Sequence, residues 1–194
     1  MSDDILSTFH GLLEEARQSG DREPTAMTLA TADADGRVSA RTVLLKHADA
    51  DGFVFYTNTL SLKGRQLAAH PQAALLFYWK ALRDQVQVRV EGRVAPVSDA
   101  EADAYFASRP RDSQIGAWAS TQSEPLDSRE TLMRRVQEYA ERFDGGAVSR
   151  PPHWSGYRVT PDLIEFWYGG AHRLHDRFQH RLIDGRWIEQ RLYP

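Results

Sequence analysis

The sequence predicts an α+β fold, an antiparallel Greek-key-like β-barrel with flanking helices. Short β-branched and aromatic runs recur along the chain, with turn signals between them. Helical periodicity is confined to separate segments and does not alternate with the strands. The 194 residues are 41% hydrophobic and include five Trp, enough for one core. Residues 1–194 therefore read as a single domain, with 1–24 an N-terminal helix and linker.

Ile5, Leu6, Phe9, Leu12, Leu13 and Ala16 fall at helical spacing. Asp3 and Asp4 suit the positive end of that helix and Gly20 its C-cap. Ala26–Ala32 reads as a strand, Asp33–Gly36 as a turn and Arg37–Lys46 as the return strand. A second turn at Asp49–Gly52 leads to a strand at Phe53–Thr57, so this part is an antiparallel meander. Ser61 caps a short helix that Pro71 stops. Strands follow at Ala73–Trp79 and Gln85–Val94, the second with Val86, Val88 and Val90 on one face and Gln85, Gln87 and Arg89 on the other. Ser98 and Glu101 form a capping box for a helix ended by Pro110. Residues 112–120 run small and apolar. Asp127 and Glu130 open a further helix, whose Leu132, Met133, Val136, Tyr139, Ala140 and Phe143 predict core packing. After a Gly/Pro loop at 144–152, strands are expected at 156–160, 163–168, 177–183 and 186–192, the last two joined by Asp184-Gly185.

The chain has no cysteine, which excludes disulfides, thiolate metal sites and a Cys nucleophile, and a cytoplasmic setting is expected. No apolar run approaches the ~20 residues of a membrane span, and the acidic N-terminus has the wrong sign for a signal peptide. A net charge of -3 gives no basic field for nucleic acid. Clustered cations in such a chain point to small anionic ligands.

Four features stand out. Arg41-Thr42-Val43-Leu44-Leu45-Lys46 reads as a rigid strand with a cation at each end. Strand alternation sends Arg41 and Lys46 to opposite sides, each able to hold an anion; the alternative is an edge strand with two solvated cations. Lys63 lies in the first turn of its helix, against the dipole, which suggests an anion beside it. Tyr105 and Arg109 share a helix face with Ser113 just beyond, a pattern suited to a phosphate. Trp167–Arg177 holds two Arg, two His and an Asp. Read as extended, it turns Arg173, His175 and Arg177 to one face and Leu174 and Asp176 to the other. His172, His175 and Asp176 have no recognised ligand spacing, so no metal is expected.

RTVLLK at 41–46, FYTN at 55–58, Lys63-Gly64, QVRVEG at 87–92, YFASRPRDSQIGAWAS at 105–120 and EFW-x6-LHDR at 165–177 together resemble pyridoxine (pyridoxamine) 5′-phosphate oxidase. The resemblance runs from about Thr25 to Pro194. It implies an FMN-binding split β-barrel, a homodimer with FMN at the subunit interface. It also implies oxidation of pyridoxine or pyridoxamine 5′-phosphate to pyridoxal 5′-phosphate, with O2 giving H2O2. By the same resemblance, Arg41 and Lys63 bind the FMN phosphate. Thr42, Val43, Leu44, Leu45, Lys46, Tyr56, Thr57, Gln87, Gln122, Ser123, Trp167 and Arg177 complete the flavin site. Lys46, Tyr105, Arg109 and Ser113 hold the substrate phosphate, and Arg173 and His175 act at the substrate ring as the catalytic pair. The inventory agrees, since two phosphate dianions call for two cation clusters.

Three positions depart from the family's pattern. Leu62 stands where an Arg usually precedes the Lys, which implies one FMN phosphate contact fewer. The stretch from Trp79 to Gly92 is two residues longer than usual, so counting from Tyr105 selects Gln87 as the flavin Gln whereas counting from Lys46 selects Gln85; Gln87 is preferred because it leads QVRVEG. The N-terminal arm is short, which implies a less covered substrate. Two other readings are a flavin oxidase of a phenazine-type substrate and a non-catalytic FMN- or pyridoxal-phosphate-binding protein. Tyr105, Arg109, Ser113 and RLHDR argue against the first.

Overall fold

The structure, a computed structural model, describes residues 1–194. Nine strands, β1 (Ala26–Ala32), β2 (Val38–Leu44), β3 (His47–Asp49), β4 (Gly52–Asn58), β5 (Gln72–Trp79), β6 (Val86–Pro96), β7 (Trp154–Tyr168), β8 (Asp176–Ile183) and β9 (Arg186–Leu192), form one antiparallel sheet. Five helices flank it: α1 (Asp3–Gln18), α2 (Leu62–Ala69), α3 (Asp99–Ser108), α4 (Arg111–Ala119) and α5 (Arg129–Arg142). The strand order is β2-β1-β5-β6-β7-β4-β3, with β8 and β9 continuing from β7.

The expected pair of strands at 156–160 and 163–168 is one 15-residue strand, β7. Pro161 does not break it, because it sits where the β6–β7 register shifts between Glu91 and Gly92. A bulge tolerates the ladder donor that proline lacks. β6 runs along one edge of β7; on the other edge β4 pairs its first half and β8 its second. The fork curls the sheet. At the far end the Leu45 N–H donates to the Thr25 carbonyl and the Lys46 N–H to that of Val54, both at 2.8 Å. Through these bonds the chain passes from the β1–β2 pair to the β3–β4 pair. The expected strand to Lys46 therefore ends at Leu44.

α1 plugs the curled sheet. Its Ile5, Phe9, Leu12, Leu13 and Ala16 are buried, and the Phe9 ring meets Phe53 edge-on at 5.0 Å and Phe77 at 5.2 Å. Burying a side chain of that size contributes about 1.5–3 kcal/mol. Gly20, at φ +84°, ends the helix as expected. Arg83 grips Glu15 with two hydrogen bonds of 3.0 and 2.7 Å, tying α1 to the β5–β6 turn.

A smaller apolar cluster of Phe106, Ile115, Val148 and Trp154 lies under α3, α4 and α5. It revises two expectations. Residues 112–120 belong to a helix, α4, and α5 has no buried residue and packs only on this satellite cluster. The α5 N-cap is Ser128, whose hydroxyl accepts from the Thr131 N–H at 3.1 Å; Asp127 plays no part in the cap. No helix is long and apolar enough to cross a membrane.

Candidate functional site

The larger cleft, about 680 Å³, lies between β2, β4, the start of α2 and the α3–α4 corner. Arg41, Thr42, Val43, Leu44, Lys46, Tyr56, Thr57, Lys63, Tyr105, Arg109, Ser113 and Gln122 line it, together with Trp154. Arg41 and Lys46 do not face opposite ways as strand alternation suggested. β2 stops at Leu44, and the turn into β3 brings both cations to one cleft. Leu45 instead lies in the core, 5% exposed. Ser123, left-handed at φ +74°, is exposed and outside the cleft.

No Asp or Glu lines this cleft, although four cations do. They fall into two groups. In the first, Arg41 donates to the Thr31 hydroxyl at 2.5 Å, to the Leu29 carbonyl at 3.3 Å and to Gln66 Oε1 at 3.1 Å. Lys63 Nζ donates to Gln122 Oε1 at 2.7 Å and to Thr57 Oγ1 at 3.2 Å. Every partner is neutral. Burial lowers the basicity of both groups, and for Lys63 the Arg41 charge adds to it. Ser61 caps α2 by accepting from the Gly64 N–H, so the helix dipole adds positive potential beside Lys63.

The second group is aromatic. Tyr56 stacks between Tyr105, at 4.1 Å, and Trp154, at 5.2 Å. Burial, helped by the Glu101 charge, pushes the Tyr56 phenol up to about 12, so it stays a neutral donor. The Arg109 guanidinium lies over Trp154 at 4.8 Å, and its buried Nη1 has no hydrogen-bond partner. Burial depresses this Arg too. A buried guanidinium nitrogen left unpaired is costly, and a phosphate oxygen would relieve it. The residues present therefore fit two phosphate-bearing molecules. Trp154 was not singled out in the sequence; its place beside Tyr56 and Arg109 depends on a long-range strand pairing.

A second cleft, 220 Å³, shares no residue with the first. Leu76, Gln87, Arg89, Glu165, Trp167 and Arg177 line it. It lies on the outer face of β6, β7 and β8, since Val86, Val88, Val90, Ile164 and Phe166 point into the core. The geometry separates the two Gln candidates. Gln87 lines this cleft, whereas Gln85 sits in the β5–β6 turn at φ +80° and accepts from the Tyr78 hydroxyl at 2.5 Å. The Gln85 carbonyl accepts from the Gly169 N–H at 2.9 Å. A Cβ on Gly169 would fall 1.7 Å from the Asp84 carbonyl oxygen, so only glycine allows this approach.

Beyond Gly169 the chain is not extended. Ala171–Arg173 form a single 3-10 turn, with His172 at φ +57° and Arg173 at φ +64°. The expected common face of Arg173, His175 and Arg177 therefore does not exist. Arg173 is exposed and lines neither cleft. His175 packs on Trp167, ring centroids 4.4 Å apart, and its Nδ1 accepts from the Gly170 N–H at 3.1 Å. Arg177 donates from Nε to Glu165 at 2.7 Å and from Nη1 to the Tyr193 carbonyl at 3.0 Å. Burial pushes the Glu165 carboxyl up, but hydrogen bonds from Arg177 and Arg89 outweigh it and hold it below the usual carboxylate range. Glu165 was not singled out in the sequence, and Arg89 was placed only on the polar face of its strand; an ion pair across neighbouring strands shows only once the register is known.

Residues 13–143 match the family described as Pyridoxamine 5'-phosphate oxidase, and residues 154–194 match Pyridoxine 5'-phosphate oxidase C-terminal dimerisation region. The chain belongs to the pyridoxamine 5′-phosphate oxidase family. Members of this family use FMN, and the curled sheet with its five helices is the family's split barrel. The chain is 57% identical over 192 residues to a pyridoxine/pyridoxamine 5′-phosphate oxidase of Caulobacter vibrioides, covering 99% of this chain and 86% of that protein. It also superimposes on PhzG from Burkholderia lata, crystallised with tetrahydrophenazine-1-carboxylic acid. The TM-score is 0.92 at 33% identity, over 98% of this chain and 92% of that one. A pyridoxamine 5′-phosphate oxidase-related, FMN-binding protein from Nostoc punctiforme shares the fold, with TM-score 0.77 at 16% identity over 97% and 96% of the two chains. The match at 154–194 supports a homodimer. That region carries Trp167, Arg173, His175 and Arg177, and exposes Leu182, Ile183 and Ile188.

Proposed function

We propose that this chain, working as one domain in a homodimer, oxidises pyridoxamine and pyridoxine 5′-phosphates to pyridoxal 5′-phosphate. Bound FMN would accept the two electrons and pass them to O2, giving H2O2; with the amine, water would hydrolyse the resulting imine and ammonia would leave. The observation that carries the reading is the carboxylate-free cleft with its two cation groups, one for each phosphate. In this reading Arg41 and Lys63, with Thr57 and Gln122, hold the FMN phosphate, and Thr42, Val43, Leu44, Lys46 and Tyr56 flank the cofactor. Arg109, Lys46, Tyr105 and Ser113 hold the substrate phosphate. Gln87, Trp167 and Arg177 meet the flavin from the second cleft, and Arg173 and His175 orient the reacting end of the substrate. Because the two clefts have no residue in common, we place FMN between chains, one cleft from each.

The protein should purify yellow, as a dimer with one FMN per subunit. It should convert pyridoxamine 5′-phosphate to pyridoxal 5′-phosphate in air with release of H2O2. A flavin-loaded dimer that turns over a dihydrophenazine carboxylate but not the phosphorylated amine would favour the PhzG-like activity. Flavin binding without any turnover would leave a carrier.

Leu62, 45% exposed, precedes Lys63 in the first turn of α2. Leu62→Arg should lower the FMN dissociation constant by about tenfold, the effect of one added charge-assisted phosphate contact. Titration of the apoprotein, followed by quenching of flavin fluorescence, checks this. An unchanged constant would mean that the phosphate is already saturated by Arg41 and Lys63.

A further inference from the structure

The carboxylate of Glu165 is the best-sequestered charge on the outer face of the sheet, its side chain 5% exposed. It sits on β7 between two guanidiniums, Arg89 of β6 and Arg177 of β8, each at 2.7 Å. Arg89 faces Glu165 directly across the β6–β7 pair, whereas Arg177 lies opposite Trp167 and reaches Glu165 diagonally. Arg89 has a second carboxylate in the half-exposed Glu91, so it does not depend on Glu165 for charge balance. Arg177 has no other. Its Nε is fixed by Glu165 and its Nη1 by the Tyr193 carbonyl, and Nη2 makes no hydrogen bond within the chain. Two anchors on a planar fork leave the side chain one orientation.

A buried ion pair of this kind contributes little net stability, because desolvation offsets attraction. Its use lies in direction. We propose that Glu165 is a positioning residue, whose carboxylate aims the free edge of the Arg177 guanidinium, together with Gln87 and Trp167, at the cofactor held by the partner chain. The proposal rests on the reading that Arg177 meets FMN. Without the carboxylate, Arg89 and Arg177 repel each other and Arg177 swings toward solvent.

Glu165→Gln keeps the shape and removes the charge. The apo dimer of this variant, titrated with FMN, should show a dissociation constant raised about tenfold, the effect expected of one misdirected charge-assisted contact. Arg177→Ala should raise it at least as much. The double variant should be no weaker than Arg177→Ala alone, since coupled residues do not add. Glu165→Asp, which keeps the charge on a shorter stem, should fall between Gln and wild type. That variant also serves should the Gln variant fail to yield a dimer, and a wild-type constant for Asp would then overturn the proposal. An unchanged constant for Glu165→Gln beside a raised one for Arg177→Ala overturns the proposal and leaves Arg177 at the flavin. Additive losses overturn it in favour of a merely structural Glu165. An unchanged constant for Arg177→Ala removes the cofactor contact itself, and the proposal with it.

Discussion

Arg109→Ala should lower kcat/KM for pyridoxamine 5′-phosphate by about 10- to 100-fold, chiefly through KM, with flavin content unchanged. Arg109 already occupies its working position. Trp154 holds its guanidinium at 4.8 Å, and a buried Nη1 awaits an acceptor. Truncation loses a charge-assisted bond of about 1.5–3 kcal/mol. In the proposed site that bond goes to the substrate phosphate, remote from the reacting carbon, so the ground state and transition state should lose it alike and KM should move. Lys at 109 should restore only part of the loss, since it keeps the charge but neither stacks on Trp154 nor offers a fork. Kinetics with pyridoxamine lacking its phosphate provide the control. Wild type should discriminate strongly against it and Arg109→Ala weakly; equal discrimination by both would show that the phosphate binds elsewhere.

Much of this cleft could be read from the sequence because its chemistry is local. Ser61 before Lys63 and Ser98 before Glu101 are signals within one helical turn; both serines cap, although Glu101 does not close the expected box, its carboxylate accepting from Arg158 instead. Tyr105, in the last turn of α3, and Arg109, its C-cap, both line the cleft. What failed depended on information beyond that range. The N-cap of α4 is Pro110, whose side chain has no polar atom to cap with, and its buried face is Gln114, Ile115 and Ala119, too little apolar surface to show a period. Pro161 looked like a strand end because nothing local shows that β7 carries a bulge beside it, at Asp162. Alternation could not place Arg173, because left-handed residues at 172 and 173 abolish the period of two. That Arg41 and Lys46 share one cleft likewise depends on where β2 stops pairing.

Ala at Arg173 or at His175 should reduce turnover of pyridoxamine 5′-phosphate about tenfold or more, with FMN content and dimer near wild type; loss of one positioned interaction of ~1.4 kcal/mol suffices. The loop geometry suits the role. Gly169 and Gly170 fix the start of the loop, and His175 is pinned against Trp167 at 4.4 Å. Its Nδ1 accepts from the Gly170 N–H, so the neutral ring carries its proton on Nε2 and offers a donor on its far side. Arg173, exposed and without a hydrogen bond in its own chain, is free to reach a ligand brought by a partner. Rapid-reaction measurement of flavin bleaching under anaerobic conditions isolates the step at issue. Variants that bleach at the wild-type rate, or that shed flavin and dissociate, would make these residues structural.

The carboxylate-free cleft also bears on how long the protein survives. Arg41, Lys63 and Arg109 all pay for burial with lowered basicity, and a dianion relieves that cost. A ligand that binds only the folded chain adds about 2.7 kcal/mol at a hundredfold excess over its dissociation constant. That is a large part of the ~5–15 kcal/mol that holds a typical domain together. If the flavin phosphate sits there as proposed, newly made chains that meet no flavin would carry unneutralised charge in a partly dry cleft, open more often and present more unfolded chain to proteases. Scarcity of one vitamin-derived cofactor would in this way lower the abundance of the enzyme that makes another, with no regulator other than the cleft itself.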